Sequence, residues 1–114
     1  MICPSSSLVN GDKGFRFEIT TESGPQSAFV VRHGGRVYGY LNRCAHIGIE
    51  LDWQPGEFFD ETGLYLLCAT HGATYLPDSG KCIAGPCRGA RLTQLEVCEL
   101  DGGIYLKLRP TQHA

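Results

Sequence analysis

"CAHIG", residues 44–48, sets a cysteine and a histidine two positions apart and places a glycine two positions after the histidine. A second box, "CATHG", residues 68–72, sets Cys68 and His71 three apart, with a glycine directly behind the histidine. Thiolate sulfur and imidazole nitrogen are good ligands for zinc and iron. Gly48 and Gly72 allow a sharp backbone turn beside each box. Two facing loops of this kind close one site, with Cys44, His46, Cys68 and His71 as its donors.

Two inorganic centres accept that donor set. A single zinc ion takes two cysteines and two histidines at a structural site. Zinc fingers, however, usually gather the cysteines in one box and the histidines in the other. A two-iron, two-sulfide cluster with both cysteines on one iron and both histidines on the other accounts for one of each per box.

Around the boxes, residues 43 to about 91 are crowded with turn signals: "QPGEF", "ETG", "PDSG" and "AGPCRGA". Strands there have to be brief, as in "LYLLC" and "ATYL". Such a segment is expected to bury little apolar area and to be held by its metal ligands. Outside it the pattern changes. "FRFEIT" (15–20) alternates as a half-buried strand does. "SAFVVRH", Gly34-Gly35 and "RVYGYLN" read as a hairpin, and so do "LTQLEVCEL", "DGG" and "IYLKLR". The likeness of these hairpins predicts one antiparallel sheet system built from both chain ends. The fold class is therefore all-β: an antiparallel base carrying a small, loop-rich, cluster-binding subdomain over about 43–91, within a single domain spanning 1–114.

Composition narrows the functions. The chain has 114 residues, 42% hydrophobic and 19% charged, as a globular domain does. Its formal net charge is −2 and its ten basic residues are scattered, which speaks against a nucleic-acid partner. No apolar run is long enough to span a membrane, and the first residues lack a secretory pattern. The expected location is the cytoplasm. There, the six cysteines favour metal ligands or free thiols over a disulfide framework.

The two boxes together resemble those of Rieske iron–sulfur proteins, C-x-H and C-x-x-H. The resemblance extends to "SGKCIAGPCRGA" (79–90), whose Gly85-Pro86 matches the proline loop that covers the cluster in this family. It implies one [2Fe–2S] cluster, with Cys44 and Cys68 on the inner iron and His46 and His71 on the outer, exposed one. The spacer 47–67 is longer than usual for small Rieske ferredoxins and is expected to form a surface excursion around "EFFDETG".

The resemblance also informs the redox potential. High-potential respiratory members carry a disulfide between the boxes; the matching positions here are Ile49 and Thr70. Those members also place a serine donor where this chain has Ala73, whereas the tyrosine donor is kept as Tyr75. The expected midpoint therefore lies at the low end of the family's range of roughly −150 to +300 mV.

The function implied is one-electron transfer from a flavin-dependent reductase to a terminal oxygenase or similar acceptor, with no catalysis by the chain itself. The alternatives are a small subunit of a larger oxidoreductase, of the nitrite-reductase kind, and a zinc-binding interaction module. Cys82 and Cys87 flank the proline loop. They read as unreactive thiols packed near the cluster, with a disulfide as the alternative. Cys3 reads as part of a loose terminus and Cys98 as a strand residue. Trp53 and "EFF" (57–59) read either as core or as a partner-facing patch.

Overall fold

The computed structural model describes residues 1–45 and 48–107. Its base is an antiparallel sheet of β2 (Phe15–Thr21), β3 (Gly24–His33), β4 (Arg36–Leu41) and β8 (Gln94–Leu95), in that order. The β3–β4 turn is the two-residue hairpin expected at Gly34-Gly35, with His33 opposite Arg36. Both glycines adopt left-handed backbone, φ 59° and 81°, as a turn matched to strand twist requires. The run Ala28–Val31 is wholly buried. Its side chains alternate between two cores: Phe29 and Val31 face one cluster, Val30 the other. β2 lies at the sheet edge, so its alternation is weak and Phe15 is exposed.

The chain ends form a second sheet rather than continuing the first. β1 (Cys3–Pro4), β10 (Gly103–Leu106) and β9 (Val97–Leu100) lie in the order β1-β10-β9. β8 pairs with β4, and the chain then leaves that sheet to begin β9. The two sheets share a core of Cys3, Leu8, Val30 and Ile104. Cys3 is thus buried in a paired strand and does not belong to a loose terminus. Arg32 fastens this arrangement. Its guanidinium donates to the carbonyls of Leu8, Ser5 and Gly35 and to both Glu99 oxygens.

A third sheet, β5 (Leu66–Leu67), β6 (Thr74–Tyr75) and β7 (Cys82–Ala84), lies within the turn-rich middle. Its strands are as short as the sequence requires. The expectation that this segment buries little apolar surface is not met. Cys44, Leu51, Phe58, Leu66, Cys68, Ala73, Tyr75, Cys82 and Cys87 pack in one cluster with Phe29, Val31 and Tyr40 of the base. The "EFF" stretch is split by this packing: Phe58 stacks on Phe29 at 3.9 Å between centroids, while Glu57 stays exposed. These buried positions follow no helical or strand period, so a periodicity reading passes over them.

Candidate metal centre

Both box loops are closed by the same hydrogen bond, although the boxes are spaced differently. The Cys44 amide donates to the Ile49 carbonyl at 2.6 Å, and the Cys68 amide donates to the Ala73 carbonyl at 2.9 Å. In each case the cysteine begins the turn and the residue five positions later ends it. In the second loop, Gly72 has φ 72° and its amide donates back to the Cys68 carbonyl. A bond from the Ala69 amide to the Leu51 carbonyl, 3.0 Å, ties the two loops side by side.

The first loop is anchored at its ends by a buried polar clamp. Asn42 Oδ1 accepts from the Leu51 amide at 2.8 Å, and Asn42 Nδ2 donates to Asp52 Oδ1 at 2.9 Å. Asp52 Oδ2 accepts from the Gly56 amide, and Arg16 Nε lies 3.6 Å away. Asn42 and Asp52 are 4% and 7% exposed, so every polar atom named here has to be satisfied inside the protein. Sequence reasoning did not single out Asn42, Asp52 or Arg16. The available signal was that Asn42 and Asp52 bracket the first box.

The donors converge. Cys44 Sγ, Cys68 Sγ and a ring nitrogen of His71 all lie within 4.8 Å of one another. His46, the fourth expected ligand, lies outside the described residues. Both cysteines are buried, and His71 is partly exposed. Burial pushes the Cys68 thiol up, against the pull of the His71 and Thr70 amides. A metal would have to displace that proton, which makes loading pH-dependent. Two buried thiols and an imidazole meeting at one point fit a sulfur-and-nitrogen metal centre of the Rieske kind.

Tyr75 is fully buried behind this point. Its Oη accepts from the Ala45 amide at 3.0 Å and lies 3.3 Å from Cys44 Sγ and 3.2 Å from Cys87 Sγ. Burial foremost, then the two thiols, holds its hydroxyl far above the ordinary phenol range, so it keeps its proton. Against a metal-bound Cys44 thiolate it is therefore a donor. Ala73, also fully buried, offers no side-chain donor.

The loop after β7 presses on the second box from another side. Gly85 has φ 95°, and a Cβ there would lie 2.8 Å from Ala73 Cα and 3.1 Å from the Gly72 carbonyl oxygen. Only glycine fits so close a backbone approach. Pro86 is exposed at the loop's tip. Trp53 is 80% exposed and shares a shallow depression with Phe59 and Ala69, so of the residues left open by sequence Trp53 belongs to the surface and Phe58 to the core. Among the described residues, no helix is long and apolar enough to cross a membrane.

Comparison with known proteins agrees with this geometry. A curated relative, the cytochrome b6-f complex iron-sulfur subunit of Chlorobaculum tepidum, is 32% identical over 106 residues. That alignment covers 92% of this chain and 51% of the relative, so the chain spans about half the length of the curated protein it matches. Among solved structures, the Sphingomonas yanoikuyae B1 ferredoxin superposes with a TM-score of 0.69 at 20% identity, covering 95% of this chain and 96% of its own. The ferredoxin of carbazole 1,9a-dioxygenase from Nocardioides aromaticivorans IC177 gives 0.69 at 21% identity, covering 95% of each chain. Identity at that level speaks to the fold. Residues 1–100 match the Rieske [2Fe–2S] domain, and the chain belongs to that family.

Proposed function

We propose that this chain is a one-electron carrier built around one [2Fe–2S] cluster, held by Cys44, His46, Cys68 and His71. The observation that carries the reading is the convergence of Cys44, Cys68 and His71 within 4.8 Å, on loops closed alike and tied together. When bound, the cluster supplies reversible one-electron chemistry. The residues contribute the rest. The buried cysteines keep one side of the centre from water, the partly exposed His71 faces outward, Tyr75 holds a proton toward Cys44, and the Gly85-Pro86 loop packs on the second box. Residues 43–91 serve as the cluster-binding subdomain of one domain spanning 1–114.

The acceptor in this reading is a terminal oxygenase and the donor a flavin-dependent reductase, both met transiently in the cytoplasm. Support comes from the full-length fold likeness to ferredoxins, one of them the ferredoxin of a carbazole dioxygenase. The chain acts as a component that passes electrons on and does not itself transform a substrate. The sequence relative favours a second reading, in which the chain works as a fixed subunit of a larger redox complex. Ile49 and Thr70, which cannot form the bridge of high-potential members, and Ala73, which cannot donate, favour the first.

The test is the visible and electron-spin resonance spectrum of freshly purified protein with metal and sulfide analysis. A red-brown protein with two irons and two sulfides per chain, giving a rhombic signal when reduced, is expected. A colourless zinc protein overturns the reading. Isolation as a lone chain that accepts electrons from a flavoprotein reductase supports the carrier. Obligate co-purification with larger subunits supports the alternative.

A further inference from the structure

Cys82 and Cys87 bracket the loop that presses on the second box. Their sulfurs are 3.0 Å apart, with the Cys87 thiol donating toward Cys82 Sγ and the Cys82 thiol toward the Ala84 carbonyl. We propose that Cys82 and Cys87 are a redox-active dithiol, a second redox site in this chain, which closes to a disulfide by exchange with a low-molecular-weight disulfide.

The backbone makes this closure easy. The Cys82 amide donates to the Ala90 carbonyl, the Gly89 amide donates to the Cys82 carbonyl, and the Ala90 amide donates to the Cys87 carbonyl. The chain between the two cysteines is thus already folded back on itself. A bond of about 2.05 Å requires the sulfurs to approach by only about 1 Å. Ala84, Gly85, Pro86, Arg88 and Gly89 are exposed, so the loop lies at the surface. Cys87 is 8% exposed and Cys82 1%, which makes Cys87 the thiol that a small disulfide reaches first.

The chemistry balances. The Cys87 thiolate attacks one sulfur of the small disulfide, forming a mixed disulfide and releasing one thiol. The Cys82 thiolate then displaces the second thiol and forms the Cys82–Cys87 bond. Two electrons and two protons pass from the protein's thiols to the small disulfide, which leaves as two thiols.

Closure reaches the metal centre through Tyr75, and this part rests on the cluster reading. Tyr75 has one hydroxyl proton and two sulfurs at similar range, Cys44 at 3.3 Å and Cys87 at 3.2 Å. A sulfur in a disulfide is the poorer acceptor. Closure therefore removes the competing acceptor and shortens the bond that Tyr75 already donates to Cys44, which favours the reduced cluster and raises its midpoint.

The experiment uses the full chain as purified, equilibrated at graded ratios of reduced and oxidised glutathione, alkylated in denaturant and digested with trypsin. Cleavage after Lys81 and Arg88 releases "CIAGPCR", residues 82–88, which holds both cysteines. The expected result is a peptide two hydrogens lighter and closed to alkylation, in a fraction that rises with the oxidised ratio, beside a raised cluster midpoint. In Tyr75→Phe the peptide still closes, but the midpoint no longer responds. Two alkylated cysteines at every ratio, or a persistent glutathione adduct on Cys87, overturns the dithiol whatever metal is bound. A closed peptide with an unmoved wild-type midpoint overturns the link through Tyr75. A protein that lacks iron fails the cluster reading, while the peptide result still decides the dithiol.

Discussion

Tyr75 and Gly85 show how much rests on single side chains around this centre. A hydrogen bond from Tyr75 to a ligand sulfur stabilises the more negative, reduced state more than the oxidised one. Tyr75→Phe removes the donor and keeps the ring that fills the core, so the cluster is expected to stay bound. A differential of about 1 kcal/mol corresponds, at 59 mV per tenfold for one electron, to a midpoint lower by on the order of 40 mV. Redox titration followed by visible absorbance checks it. Gly85 acts by what it lacks. Gly85→Ala forces a Cβ to within 2.8 Å of Ala73 Cα at φ 95°, and the atom it meets is backbone, which cannot swing aside. Strain of about 1–3 kcal/mol is expected, with faster loss of visible absorbance in the presence of a chelator. A variant as stable as the parent in both assays would show that the loop lifts away freely.

The two box loops owe their shape to partners outside the boxes. Asp52→Ala strands the Gly56 amide and leaves Asn42 Nδ2 with only its longer bond to Ser27 Oγ, 3.4 Å, and an orphaned buried donor costs about 1–3 kcal/mol. Urea unfolding is expected to show the loss. Asp52→Asn, which keeps an acceptor, is expected to recover part of it. The clamp marks the limit of what the sequence discloses. The ligand boxes, both glycine-turned hairpins and the short central strands are legible because each is local: a fixed spacing, a left-handed turn, a two-residue period. The Asn42–Asp52 pair and the contact between Cys82 and Cys87 lie within short windows of sequence, but whether their side chains meet depends on how the loop between them folds back. The split of β8 from β9 depends on which distant segments meet in space, and no window of sequence contains that information. Cys3 illustrates the same limit, since its burial comes from β10, about a hundred residues away.

Two apolar clusters join the three sheets, and these determine whether the molecule unfolds as one body. Phe58 lies at the centre of one of them, stacked on Phe29 where the turn-rich middle meets the base. Phe58→Ala is expected to cost about 3–5 kcal/mol and to lower the thermal midpoint of the whole chain in one transition. Circular dichroism across a thermal ramp measures this. The junction of the second sheet with the base adds an ion pair to its apolar core. Arg32 on β3 holds Glu99 on β9 through two charge-assisted hydrogen bonds. The Arg32 guanidinium, helped by Ser5, lowers the Glu99 carboxyl from 4.5 to about 2. Because the folded value is depressed, the ion pair stabilises the native state fully above the unfolded value. That contribution is lost as pH falls from 4.5 through the folded value of about 2, and Glu99 is protonated in both states only below it. Other carboxylates titrate over the same range, so the informative quantity is the stability of the wild type minus that of Glu99→Gln. That difference is expected to be constant from neutral pH down to about pH 5, to shrink steadily below it, and to vanish only below the folded value of about 2. The pair is open to solvent at its rim, so added salt is expected to narrow the difference at neutral pH as well. Urea midpoints of both proteins at each pH measure it. A difference that does not change from pH 7 to pH 2 would mean that Arg32 contributes to the junction through its bonds to the Leu8 and Ser5 carbonyls and not through the charge on Glu99.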